Sequence, residues 1–410
     1  MVASQKKLPI EVYIYIIVAV CMTFTLTQHI PIIGRPWVVG PIGVLMGLSL
    51  VKIKEWSNIF TIIVLYGLIV FVNFLTKDAY FDSIIKVLYE MIYLFVPFTM
   101  FLFFLKNLKG ANLLSVVFFV FLAECVAVSF FADSVYPGLI RMQSNDESIN
   151  EYQTILEPFQ RIGLSSYGLP HAIPVFIPAL VFMIKRQTGK LRCGGVILLL
   201  MSLLLVYVSN SSTALILSLI VTLMSLFIYG KRRSHMILLF VIIIPLVLSQ
   251  TAQIKMLEAV SALTQNNSLL EIKRMDIEES IMYGEGQGGV AERQSLYKTS
   301  FDTFLENPIM GVNEKKYGGH SALLDRLAVL GLLGFIPLCL ILYRTYTFTL
   351  RFLTIDSRVY YKMGFLMGII MMLAKNMFGW ALLFSMFFLL PILLILQDYN
   401  RVVNNTQKPI

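Results

Sequence analysis

Three residues of two types, one histidine and two arginines, stand beside apolar runs where they could do chemistry. His320 lies in GGHSALLDRLAVLGLLGF (Gly318–Phe335), two glycines ahead and a greasy stretch behind. A histidine at a helix N-terminus feels the positive end of the helix dipole, which favours the neutral imidazole. A neutral imidazole can take a proton from a hydroxyl and serve as a general base. The plainer reading is an interfacial histidine hydrogen-bonded to backbone. Arg161 in EPFQRIGLSSYGLPH and Arg293 in AERQSLYK each carry a planar guanidinium that stays charged and suits phosphate oxygens. Two such groups meeting at a membrane surface would clamp a pyrophosphate. Taken singly, each is also an ordinary headgroup contact or loop salt bridge.

Other ionisable residues fall inside or beside apolar runs, where they are costly and usually face a cavity or a partner. Asp325 and Arg326 follow His320 on the next turns and are expected to orient that helix or to touch a ligand. Glu90 has Lys86 four residues earlier as a local partner. Glu124 has none, which leaves it open to a functional role or to an interhelical hydrogen bond. Lys375 stands near the end of another run, and Asn210-Ser211-Ser212-Thr213 reads as a tight turn, either a cap or part of a pocket floor. P-loop, dinucleotide, HExxH and GxSxG motifs do not occur. The four cysteines have no paired spacing, and no acidic cluster has metal-ligand spacing, so neither a disulfide framework nor a metal site is expected.

The elements that must position these groups are membrane spans. The chain of 410 residues is 57% hydrophobic and 14% charged, with a mean hydropathy of +0.77. A soluble domain of this size could not bury so much apolar surface. Charged residues cluster between apolar runs long enough to cross a hydrocarbon core of roughly 30 Å. The pattern predicts an all-α polytopic membrane protein, a single domain over 1–410. About twelve spans are expected near 12–29, 37–51, 58–75, 84–105, 112–131, 171–184, 193–209, 214–229, 235–249, 327–343, 363–378 and 380–397. The first is too long for a secretory leader and lacks a small-residue cleavage site, so it is expected to be retained.

Every second connection is basic: Lys6/Lys7, Lys52/Lys54, Lys106/Lys109, Lys185-Arg186 with Lys190 and Arg192, Lys231-Arg232-Arg233, Arg344 to Lys362, and Arg401/Lys408. These hold more than half of the 33 lysines and arginines. Positive segments stay inside, so both termini are expected in the cytoplasm. The net charge of +9 is then a topology signal and not a sign of nucleic-acid binding. Two long loops, 132–170 and 250–320, fall on the outer face, and loops this long are usually functional. The second is expected to carry amphipathic helices over 252–263 and again from about 292 to a stop at Asn307-Pro308, with a polar, glycine-rich segment over 266–289 between them.

His320-Ser321, nine residues, then Gly331-x-x-Gly334 resembles the H-[NSQ]-x9-G-x-x-G signature of the O-antigen ligase and O-antigen polymerase (Wzy-type) superfamily. Upstream, Arg293-x-x-x-Tyr297 and Asn307-Pro308-x-x-Gly311-Val312 are similar to the segment that precedes the family's histidine. Arg161-Ile162-Gly163 is similar to its arginine–glycine motif before a middle span. VSNSSTALI resembles a further segment, except that Ser212 stands where the family usually has arginine. The tight part of the resemblance covers 293–334.

The resemblance implies a GT-C-like membrane glycosyltransferase, inverting and metal-independent, with no cofactor and a glycan on undecaprenyl pyrophosphate as donor. Arg161 and Arg293 would hold the pyrophosphate and His320 would assist the acceptor hydroxyl. Arg141, Arg274 or Arg326 would supply the third cation that Ser212 lacks, and Glu124 and Asp325 complete the candidate binding set. Gly331 and Gly334 would allow close helix packing. The expected activity is a polysaccharide polymerase of the bacterial inner membrane, working on its periplasmic face on lipid-linked repeat units. A chain-length regulator is a candidate partner. The rival activities are a ligase that transfers to lipid A-core and a transporter of lipid-linked oligosaccharide without chemistry.

Overall fold

A computed structural model describes residues 36–48, 50, 54–75, 81–105, 108–143, 146–228, 255, 258, 289–312 and 317–406. The expected spans near 12–29 and 235–249, nearly all of the 252–263 helix and of the 266–289 segment, and Arg274 lie outside the described residues. Regular structure among the described residues is entirely helical. That follows from the composition: in hydrocarbon a backbone must satisfy its own polar groups, and a helix does so within one segment.

The helices are α1 (Pro36–Leu48), α2 (Lys54–Leu75), α3 (Phe81–Leu105), α4 (Leu108–Val135), α5 (Leu139–Met142), α6 (Asp146–Arg161), α7 (Gly168–Arg186), α8 (Gly189–Val208), α9 (Ser212–Phe227), α10 (Gly289–Glu306), α11 (Ala322–Thr349), α12 (Ile355–Ala374), α13 (Trp380–Phe384) and α14 (Leu390–Thr406). A π-helical turn, Ser385–Leu389, joins α13 to α14. Among the described residues, six stretches are long and apolar enough to cross a membrane: Leu88–Leu105, Val116–Val135, Gly168–Arg186, Gly189–Val208, Ala322–Phe352 and Trp380–Tyr399. Trp56–Val72 and Ser212–Phe227 are shorter apolar helices. The protein is a multi-pass membrane protein. The segment expected as the first long loop is largely helical: α4 runs on to Val135, and α5 and α6 fill most of the chain from there to Arg161.

The core is built on α7, which packs against α8, α9, α12, α13 and α14. Every residue from Leu382 to Gln397 is buried, so that helix is surrounded by protein on all sides. Pro174 and Pro178 sit inside α7. Further along α7, Gln397 of α14 donates to the Ala179 carbonyl at 3.1 Å, a polar tie between the two core helices.

The two ends of the bundle differ in chemistry. At one end Lys185 donates to the carbonyls of Ser225, Leu226 and Ile228 at 2.9, 2.6 and 3.1 Å, capping α9 with a cation at the negative end of its dipole. Arg186 pairs there with Asp356 at the start of α12. The other end holds the starts of α7, α9, α11 and α13 and the finish of α12, and it carries His320.

Candidate functional site

His320 sits in a short loop clasped from two sides. On one side is α10, whose helix stops at Glu306 just before the expected Asn307-Pro308. Its Leu296, Tyr297 and Ser300 share one helical face. Gly318 lies so close to Leu296 that a Cβ there would stand 2.0 Å from the Leu296 carbonyl oxygen. The Gly318 amide donates to the Ser300 hydroxyl at 2.9 Å, and the Tyr297 ring is 6.1 Å from the imidazole, centroid to centroid. On the other side is the α12–α13 connector. Asn376 donates to the Gly319 carbonyl at 3.2 Å, and the Ala322 amide donates to the Lys375 carbonyl at 3.0 Å. Tyr297 joins the two walls by donating to the Ala374 carbonyl at 2.8 Å. Ser321 caps α11, accepting from the Leu324 amide at 3.3 Å, so His320 is the residue immediately before the cap.

Asp325 and Arg326 take different hydrogen-bond partners. The buried Asp325 carboxylate accepts from the Ser300 hydroxyl at 2.6 Å and from the Ser321 amide at 3.2 Å, closing a loop of bonds around residues 318–321. Arg326, about 100° further round the helix, turns to α3 instead. It donates to Glu90 at 2.6 Å and to the Ala322 carbonyl at 3.0 Å, and its guanidinium lies 3.7 Å from the centroid of the Phe378 ring. Tyr66 donates to the other Glu90 oxygen at 2.8 Å. Glu90 is thus tied to α11 and α2, a tertiary pairing that its local spacing to Lys86 does not reveal.

Gly331 does more than permit close helix packing: it breaks α11, with φ 58° and ψ −167°. The broken turn docks on residues 308–312. The amides of Leu332 and Leu333 donate to the carbonyls of Pro308 and Ile309 at 2.8 and 3.1 Å, and Val312 donates to the Ala328 carbonyl at 2.9 Å. Gly311, also at positive φ, faces Gly331; a Cβ on Gly331 would come within 2.4 Å of the Ile309 oxygen and 2.5 Å of the Gly311 nitrogen. The Asn-Pro-x-x-Gly-Val segment and the Gly331-x-x-Gly334 segment are therefore two halves of one joint. Irregular backbone in a span is tolerated when protein satisfies it, as here.

Arg161 closes α6 at the same end of the bundle. Gly163 stops that helix with φ 107°, and the Leu164 amide reaches back to the Phe159 carbonyl at 2.8 Å, the usual glycine stop after a helix. Phe159 packs against Phe131 and Tyr136 at the end of α4. Arg161 is largely exposed and pairs with Glu157 at 2.5 Å. The chain then enters α7, where a Cβ on Gly168 would stand 3.5 Å from Ala381, the second residue of α13. So α13, its connector and the His320 loop link the entry of α7 to the catalytic candidate.

His171, near the start of α7, is a buried polar residue that sequence reasoning passed over. It is fully buried, with Nδ1 2.9 Å from the Tyr167 carbonyl and Nε2 2.8 Å from the Ser211 hydroxyl. A carbonyl only accepts, so Nδ1 donates to Tyr167 while Nε2 and the Ser211 hydroxyl share the second bond. This bond pins α7 to the start of α9, where Ser211 is the residue before the helix and Ser212 its first. A lone histidine after the Arg161–Gly163 turn was the available signal. Of the other candidates, Glu124 is exposed on α4, away from its buried Leu122–Cys125 face. Arg141 and Arg293 are described at the backbone, in α5 and α10.

Fold and site together define a multi-pass helical membrane protein with polar, hydrogen-bonded elements gathered at one end. Comparison with known families makes the class specific. Residues 197–339, about a third of the chain, match the family described as O-antigen ligase, which places that stretch in the O-antigen polymerase and ligase superfamily. The match takes in Arg293, His320, Gly331 and Gly334 and leaves out Arg161. A search of curated proteins returned no match.

Proposed function

We propose that the protein is a polysaccharide polymerase of the bacterial inner membrane. It transfers a glycan from undecaprenyl pyrophosphate to a sugar hydroxyl of a lipid-linked repeat unit. The observation that carries this reading is the clasp around His320: a half-buried imidazole, fixed from α10 and from the α12–α13 connector, inside the segment matched to the O-antigen ligase family. Both termini lie in the cytoplasm and the His320 end faces the periplasm.

The acceptor oxygen attacks the anomeric carbon of the donor sugar, and its proton passes to the imidazole of His320. The bond from that carbon to the phosphate oxygen breaks, and the electron pair leaves with undecaprenyl pyrophosphate. A single displacement inverts the anomeric centre. Fixed guanidinium charge at Arg161 and Arg293 stabilises the leaving group as its charge grows, without a metal. Arg161 suits this role because its partner Glu157 is itself exposed; such a pair contributes little to stability and exchanges readily for a phosphate. Arg141 and Arg274 are further candidates for contact with the donor, and Glu124 for contact with acceptor sugars.

The family description favours a second reading, transfer to lipid A-core. One experiment separates them. Purified protein in lipid vesicles, given lipid-linked repeat unit alone, lengthens the glycan if it is a polymerase. Lengthening only when lipid A-core is added supports the ligase, and no product in either mixture rejects the enzyme and leaves a transporter. His320→Ala, Arg161→Ala and Arg293→Ala should each abolish product while expression holds.

A further inference from the structure

Two residues implied in the chemistry, Arg293 and His320, lie on different elements and must be held in register. Position 293 stands four residues before Tyr297 and seven before Ser300, so it shares the helical register of the face that meets the His320 loop. Ser300 accepts from the Gly318 amide of the loop at 2.9 Å and donates to Asp325 of α11 at 2.6 Å, and Asp325 in turn accepts from the Ser321 amide of the loop at 3.2 Å. Ser300 is 1% and Asp325 5% exposed, so neither side chain is placed to meet a substrate. The absent side chain of Gly318 lets the loop lie directly on the α10 backbone.

We propose that Asp325 is a positioning residue: with Ser300 it locks the His320 loop onto α10, so that the histidine and position 293 move as one body. The inference rests on the glycosyltransferase reading for its kinetic part and on geometry alone for its structural part. Misplacing a catalytic group by about 1 Å costs on the order of a hundredfold in rate, so loosening this clasp should strike turnover rather than donor binding.

The test uses the full-length protein in lipid nanodiscs, with Asp325→Asn and Ser300→Ala. Hydrogen exchange at the Gly318 and Ser321 amides is read first, because those two N–H groups donate to Ser300 and Asp325. Both variants should exchange faster there, with exchange across α7 unchanged. Polymerisation is read second: kcat should fall at least about tenfold while the donor KM stays within about twofold. Ser300→Thr, which keeps the hydroxyl, should recover most of the turnover. Unchanged exchange at residues 318–321 would overturn the clasp. Faster exchange with unchanged kcat, or a loss confined to KM, would overturn the positioning role. An inactive wild type with the expected exchange pattern would sink the enzymatic reading and leave the clasp standing.

Discussion

Arg326 on α11 reaches Glu90 on α3, 236 positions earlier, with 2.6 Å between Nη2 and Oε1. The pair is mostly buried, with 14% and 25% of the two side chains exposed, and Tyr66 and Phe378 complete its surroundings. Breaking such a pair by removing one partner strands the other charge.

Arg326→Met or Glu90→Leu should therefore each destabilise the protein by about 2 kcal/mol, a value reduced from the fully buried case by the residual exposure. The double variant should recover at least half of that loss. Thermal unfolding in detergent, followed by tryptophan fluorescence, measures all three.

The joint between Gly311 and Gly331 sets a second expectation. Gly331→Ala puts a Cβ 2.4 Å from a backbone oxygen at a positive φ, and neither neighbour is a flexible side chain. The variant should lose more than about 3 kcal/mol or fail to accumulate. Gly319→Ala, also at positive φ but in open space, should cost only about 1 kcal/mol. Yield and unfolding temperature of the two variants provide the comparison.

Ser211→Ala removes the hydroxyl partner of the buried Nε2 of His171. Losing a hydrogen bond to a buried polar group costs about 1–3 kcal/mol, and the loss should be local to the junction of α7 and α9. Hydrogen exchange at the start of α9 should rise in this variant; unchanged exchange there would argue against the pin.

The orientation of the bundle is testable with thiol labelling. Cys193 is exposed near the start of α8, close to the basic end. A membrane-impermeant maleimide added to intact spheroplasts should miss Cys193 and label Asn376→Cys, beside the His320 loop. The reverse pattern would invert the topology and move the His320 end to the cytoplasm.

Much of this was legible in order along the chain. The apolar runs announced the helices from α1 to α4, α7 to α9 and α11 to α14, because a span needs its own local stretch of apolar residues. Asn307-Pro308 announced the end of α10, because proline cannot continue a helix after its last turn. Local spacing was a poor guide to side-chain partners. Asp325 and Arg326 are adjacent and of opposite charge, yet consecutive residues on a helix point about 100° apart. One turns to α10 and the other to α3.

The sequence by itself determined that this is a multi-pass helical membrane protein, that its basic connections alternate, and that His320 stands among motifs of one superfamily. These are properties of contiguous segments, and hydropathy and spacing express them directly. Only the tertiary structure decided that Tyr297 and Asn376 flank the histidine, that Ser300 holds Asp325, that Gly311 and Gly331 form one joint, and that His171 pins α7 to Ser211. Each of those joins residues that are close only because helices pack, and packing depends on side-chain shapes across the bundle rather than on any periodicity within one helix.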